Sequence, residues 1–355
     1  ANIDHMLNEI PVRGNVGFQY VNTDQASTGT LAGAGSQTLS ESYSNFLPSA
    51  NLSFEVYPDT FIRVAAAQSI TRARLDQLAA NQSLAFNNQV CVDTDADGQP
   101  DALGINPQDL AAGQSCFSLG GGNALLEPYK STSFDLSFEK YFGDATAVSL
   151  AIFHKDLEDW VVGSTGVIDL TSQINASGAG AALTANPAFS QGLINGPLNL
   201  GEGSITGFEA TLRLSLDDLL PENLAGFGVN ATYTYADNEV TNEIGTQQDI
   251  PGYSDTTWNT ELYYENHGFR GRVIARYQSE FLSEVRNFSN TLENAFAEEE
   301  MTIDAQIGYD FSEGALEGFS INLEAYNITD EPFVTIEEAA GGVSFPSRHE
   351  MYGTT

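Results

Sequence analysis

The chain has 355 residues, and a 41% hydrophobic content that includes 21 Phe and 14 Tyr excludes a disordered tail. Its 48 acidic residues against 13 basic ones give a formal net charge of −35, with lysine only at Lys130, Lys140 and Lys155, so the electrostatic footprint of a nucleic-acid binder is missing. No apolar run approaches the roughly 18 residues of a membrane helix, and the start ANIDHMLNEI lacks the basic and apolar regions of a signal peptide.

In chain order, period-two alternation predicts strands from Val12, Asn51 and Phe61, then SFDLSFEKYF from Ser133, AVSLAIFHK from Ala147 and GFEATLRLSL from Gly207. FGVNATYTY from Phe227, WNTELYYE from Trp258, FRGRVIARY from Phe269, TIDAQIGYD from Thr302 and FSINLEAYN from Phe319 continue the pattern, and a last strand starts at Val343. In FSINLEAYN, for example, Phe319, Ile321, Leu323 and Ala325 alternate with Ser320, Asn322, Glu324 and Tyr326. The reading is twelve strands and no helix.

The connections alternate in length. Short ones run from Tyr57 to Thr60, Gly143 to Thr146, Asp217 to Gly226, Asn266 to Gly268 and Ser312 to Gly318. Long ones run from Thr23 to Ser42, Ile70 to Pro128, Asp156 to Gly203, Asn238 to Ser254, Gln278 to Glu300 and Thr329 to Gly342. Strict alternation puts every long loop at one end of an up-and-down antiparallel sheet, the asymmetry of outer-membrane barrels. A soluble sandwich also alternates, but three features favour the barrel. The strands have the length that crosses a bilayer at a tilt, and aromatic residues such as Tyr20, Phe142, Tyr235, Phe269 and Phe319 gather near strand ends. Charges then mark the polar face: Glu209, Arg213, Glu261, Arg270, Arg272, Arg276, Asp304 and Glu324. Exposed to lipid at the midplane such groups cost about 2 to 4 kcal/mol, so they are predicted to face a wet lumen.

The two cysteines, Cys91 and Cys116, flank a polar stretch with no histidine beside it, which suits a disulfide better than zinc and implies an oxidising compartment.

Several words resemble the TonB-dependent outer-membrane receptors, in that family's order. GGNALLEPYKSTSFDLSFEKYFG from Gly121 looks like the family's Gly-Asn-x-x-Leu-x-Pro stretch and the strand after it. NFLPSANLSFEV from Asn45, FIRVAAAQSITRARLDQL from Phe61, SITGFEATL from Ser204 and NITDEP from Asn327 resemble other stations. PVRGNVGFQYVNTDQASTG from Pro11 is similar to the branch in Caulobacter- and Xanthomonas-like bacteria. The resemblance implies a 22-stranded transmembrane β-barrel in the outer membrane of a Gram-negative bacterium, occluded by an N-terminal plug and energised by the TonB protein. Residues 1–355 would then be the C-terminal part of such a barrel, without plug or first strands, and residues 70–128 a long extracellular loop. The end SFPSRHEMYGTT departs from the family, whose closing strand usually ends in an aromatic residue.

Within that loop, Asp93, Asp95, Asp97 and Gly98 match the first half of an EF-hand loop, with Gln99 offering a carbonyl and Asp101 at the ninth position. Gly104 stands where the bidentate glutamate belongs, so the expectation is a weak extracellular Ca2+ loop. No HExxH, GxSxG or P-loop word occurs, and His5, His154, His267 and His349 are scattered, so no enzyme is expected. Trp160, Tyr129, Asn123 and Phe117 suit a sugar, with rings for its apolar faces and an amide for its hydroxyls. The expected function is active import of a nutrient, an oligosaccharide. The rivals are an iron-chelate (siderophore) receptor, a passive channel and a calcium-binding surface anchor or adhesin. Expected partners are TonB through the plug, outer-membrane lipid and lipopolysaccharide, the nutrient and a surface lipoprotein.

Overall fold

A computed structural model describes residues 1–32, 35–86, 91–92, 102–103, 116–143, 145–177, 191–217, 221, 225–241, 247–286, 292–339 and 343–353. In chain order its strands are β1 Asn2–Leu7, β2 Ile10–Ala32, β3 Gly35–Tyr57, β4 Thr60–Thr71, β5 Gln82–Phe86, β6 Cys91–Val92, β7 Ala102–Leu103, β8 Phe117–Gly121, β9 Tyr129–Phe142 and β10 Thr146–Asp169. After a short helix α1 (Thr171–Ser177) come β11 Gln191–Ser215, β12 Phe227–Thr241, β13 Gln247–Gln248, β14 Thr256–Asn266, β15 Phe269–Gln278, β16 Phe281–Arg286, β17 Leu292–Ala297, β18 Glu300–Asp310, β19 Ser320–Ala325, β20 Phe333–Ala339 and β21 Val343–Glu350.

The wall is an antiparallel meander in which β2, β3, β4, β9, β10, β11, β12, β14, β15, β18 and β19 each pair with the next. The short turns the sequence marked all lie at one end. His267 and Gly268 both take positive φ (50° and 80°), the requirement of a two-residue type I′ hairpin turn whose twist matches the flanking strands.

Register then separates two chemistries. Val64, Leu136, Ile152, Phe208 and Tyr235 stand side by side on β4, β9, β10, β11 and β12, and all are exposed. Further round, Leu262 pairs with Val273, and Ile307 with Leu323, again exposed. Because side chains alternate across a strand, the polar residues between these positions share the opposite face. A continuous apolar face open to the surroundings across so many strands is what a lipid-facing barrel wall presents, where a water-soluble sheet would bury it.

Three expectations change. The segment from Thr23 to Ser42 is not a loose loop: β2 and β3 stay paired up to Leu31 and Gly35, and β10 and β11 likewise from Asp156 up to Asp169 and Gln191. The predicted strand at Val343 does not continue the wall; β21 pairs with β20 in a separate four-stranded sheet, β16-β17-β20-β21. The partner it needs, FVTIEEA, lies inside a connection read as a loop, and pairing between such segments leaves no mark in either one alone. A short helix, α1, also stands where none was predicted.

Candidate functional site: the polar wall and its loop assembly

The polar face is built from the wall upward. Arg213, Asn230, Glu261, Ile274 and Asp304 form one row across β11, β12, β14, β15 and β18. Arg272, Gln306 and Glu324 form another. Glu209, Arg270 and Arg276 fall on the same face by register, so all eight predicted lumen charges share it.

Most of these charges are tied to one another. Arg276 pairs with Asp304, which also accepts the Asn327 amide at 2.9 Å. Arg272 donates to Gln306 Oε1 at 2.6 Å and lies 3.8 Å from Glu261, while Gln306 donates to Glu324 at 3.0 Å. Arg270 donates to Asp310 at 2.8 Å, and Asn230 donates to Glu261 at 3.0 Å. Further round, Arg63 meets Glu139 at 2.8 Å. A concavity of about 350 Å³ opens on this wall beside Thr232, Thr234, Asn259, Arg276, Gln278 and Thr302. Charge alone singled out the ionised members; the threonines and amides between them carry the same period-two signal and could have been included.

At the long-loop end, β5 and β8 form a hairpin with Leu84 opposite Leu119. The hairpin bridges two distant wall strands: β5 runs parallel to the end of β2, and β8 parallel to the start of β11. Buried at this end are Leu31, Ala80, Phe117, Leu119, Leu126, Leu170 and Ile174, each at most 2% exposed. Gln25 donates to the carbonyls of Ala124 (3.0 Å) and Leu126 (2.8 Å), and Gln37 donates to the Ala80 carbonyl and to the side-chain Oε1 of Gln82. Asn199 Nδ2 donates to the carbonyls of Glu127 and Asp159, and its Oδ1 accepts the Glu127 amide. The GGNALLEP stretch is thus stitched to both tall hairpins.

A second small core, of Leu157, Ile205, Ala236, Val240 and Ile250, is backed by Phe153, Trp160 and Tyr253. Here the connection after β12 folds onto the inner side. Asn238 donates to Asp255 at 2.8 Å and accepts the Ile250 amide. Burial, then the charges of Asp249 and Asp237, raise the Asp255 carboxyl above the ordinary carboxylate range. Burial, then Glu209 and Asp255, raise the Tyr253 phenol.

The four predicted sugar contacts all lie at this long-loop end, in different surroundings. Phe117 is 2% exposed inside the loop core, so its ring is not open to a ligand. Asn123 donates to the Pro197 carbonyl at 3.1 Å and accepts the Leu125 amide, which makes it loop wiring. Tyr129 and Trp160 stand together, ring centroids 4.8 Å apart. Sequence position alone could not tell a ring that caps a core from one left open.

Asp93, Asp95, Asp97, Gln99 and Asp101 lie outside the described residues; what is described is that β6 and β7, on either side of them, pair through Cys91 with Leu103 and Val92 with Ala102. Among the described residues no cluster of His, Cys, Asp or Glu is arranged to hold a metal. Cys116 is fully buried and carries no free thiol, while the Cys91 side chain lies outside the described residues.

Comparison with known proteins agrees with this architecture. The ferric enterobactin receptor PfeA of Pseudomonas aeruginosa, as an R480A/Q482A mutant, superposes with a TM-score of 0.57 at 14% identity, over 99% of this chain and 42% of that one. The siderophore receptor PiuA of Acinetobacter baumannii gives 0.55 at 15% identity, over 97% and 39%. The ferric citrate transporter FecA gives 0.55 at 13% identity, over 97% and 40%. At such identities the likeness is one of fold, and the chain spans less than half the length of these structures. No curated protein matches the sequence. The family model described as TonB dependent receptor-like, beta-barrel matches residues 6–328, and the chain therefore belongs to the TonB-dependent receptor β-barrel family.

Proposed function

We propose that this chain is part of the barrel wall of a Gram-negative outer-membrane receptor that imports an oligosaccharide with energy delivered through TonB. One observation carries the reading: the wall is apolar on one face and polar, threonine- and amide-rich on the other, along an unbroken register. Hydroxyl and amide groups suit a ligand rich in hydroxyls. Iron chelates are the ligands of the fold neighbours, but here the three β15 arginines are already held by Asp310, Glu261 with Gln306, and Asp304. A net charge of −35 adds long-range repulsion against an anionic chelate. TonB would act through a plug within the barrel, with outer-membrane lipid and lipopolysaccharide outside and a surface lipoprotein over the mouth.

The test is uptake of radiolabelled oligosaccharides by cells with and without the full-length receptor, with TonB present or deleted. Receptor- and TonB-dependent sugar entry is expected. Rescue of iron-limited growth by a ferric chelate alone would move the receptor to the iron class. Entry that ignores TonB would make it a passive channel, and no entry of either solute would leave an anchor or adhesin.

Calcium in the loop of residues 93–101, based on a Cys91–Cys116 bond, belongs to the same proposal. It is supported by the β6–β7 pairing, which draws the ends of the acidic stretch together. Chelation should raise protease cleavage between residues 90 and 116, and unchanged cleavage would remove calcium from the reading.

A further inference from the structure

The outer face of the wall is not uniform. Along one register row Ala50, Ala66, Phe134, His154 and Thr206 stand side by side on β3, β4, β9, β10 and β11. The next row towards the short turns is Leu52, Val64, Leu136, Ile152 and Phe208. The small side chains of Ala50 and Ala66, set among Phe134, Leu136, Ile152 and Phe208, leave a lengthwise groove of about 730 Å³ with an almost wholly apolar lining.

At the other edge of the groove the chemistry changes within one row. Gln68, Thr132, Asp156, Ser204 and Glu239 follow towards the long loops, every one polar. His154 sits at the border, its Nδ1 2.7 Å from Thr206 Oγ1 and its Nε2 3.1 Å from Asp156 Oδ1. Gln68 donates to Thr132 Oγ1 at 3.2 Å, beside them. The order apolar groove, histidine, hydroxyls and carboxylates matches the order acyl chain, glycerol, head group in a bilayer leaflet. Behind the border row the second small core, Leu157, Ile205, Ala236, Val240 and Ile250, stiffens the wall.

Charge narrows the head group. Asp156, Asp237 and Glu239 point out at this level, Glu158 follows one row on, and the nearest outward cation, Lys130, is already 3.5 Å from Asp159. A phosphate would meet carboxylates first. Resting on the outer-membrane reading above, we propose that this groove seats one outer-leaflet lipid, its acyl chain over Ala50 and Ala66 and an uncharged, hydroxyl-bearing sugar head on His154, Thr206 and Asp156.

The experiment is native mass spectrometry of the full-length receptor in detergent, titrated with monoglycosyl diacylglycerol or with phosphatidylglycerol. Wild type should retain one glycolipid in preference to phosphatidylglycerol. Ala66→Phe, which fills the groove, should weaken that retention by about tenfold or more, while Leu323→Phe on the far side of the wall should not. Asp156→Lys, which leaves the groove open, should turn the preference towards phosphatidylglycerol. Equal retention of both lipids by wild type, or retention that Ala66→Phe leaves unchanged, overturns the proposal. Heat-modifiable gel mobility reports folding of each variant. A chain that never enters bilayers sinks the transport reading and this one together, whereas an inserted barrel that takes up sugar but retains no glycolipid sinks this one alone.

Discussion

Leu136 on β9 and Leu119 on β8 are the same residue on strands of the same period, yet one is 43% exposed and the other 1%. In the wall the alternation turns apolar side chains outwards, because the surrounding medium is hydrocarbon and the polar face must hold the water. In the loop assembly the same alternation turns them inwards, because water lies outside and the hairpin must bury what it can. The hydrophobic pattern specifies which residues share a face; the medium decides which face is dry.

That contrast is open to attack from either side. The largest effect is expected from Phe117→Ala, which removes the biggest ring in the loop core and should cost about 3 to 5 kcal/mol locally. Protease cleavage should rise across residues 72–128 with wall mobility on gels unchanged; loss of the whole barrel would mean the two regions are not separate. Leu150→Arg, on the exposed apolar face of β10, should leave the loop core intact but destabilise the inserted wall by about 2 to 4 kcal/mol near the midplane, read by equilibrium unfolding from vesicles. No penalty there would mean that face touches water.

A smaller effect, about 1 to 3 kcal/mol, is expected for Arg276→Ala, which strips Asp304 of its guanidinium partner while that carboxylate still holds the Asn327 amide. Arg276→Lys should restore part of it. The least effect concerns pH. The Asp255 carboxyl is raised above its unfolded value, so the packing of residues 247–255 is best with that group protonated and loses stability as pH rises through its raised pKa. Hydrogen exchange of this segment should therefore quicken with rising pH beyond the intrinsic rate change, and Asp255→Asn should flatten that dependence. A dependence left intact in the variant would mean that Asp255 is not its source.

Where one face of a strand is apolar, as in SFDLSFEKYF or FSINLEAYN, the sequence alone locates the strand and its sidedness. The upper half of β2 could not be read so, since Asn22, Asp24, Ala26, Thr28 and Thr30 on one face oppose Thr23, Gln25, Ser27 and Gly29 on the other. Neither face is apolar, and the strand continues only because β3 supplies its ladder. The charged polar face was legible because lipid forbids charge outside. The loop core was not, because Phe117 and Leu119 sit in a glycine-rich word, and Leu31, Leu170 and Ile174, buried like them, are far away in sequence.

The pairing of β8 with β11 also sets an order in time. Its partners, Ser118 with Leu193 and Ile194 with Leu119, are separated along the chain by the whole of β9 and β10. Contacts of such long sequence separation close late, after the loop-closure entropy of the intervening chain has been met by local hairpins. A fluorescent pair across this bridge would therefore act as a clock for the final step of maturation, lighting up after the hairpins of the wall have zipped.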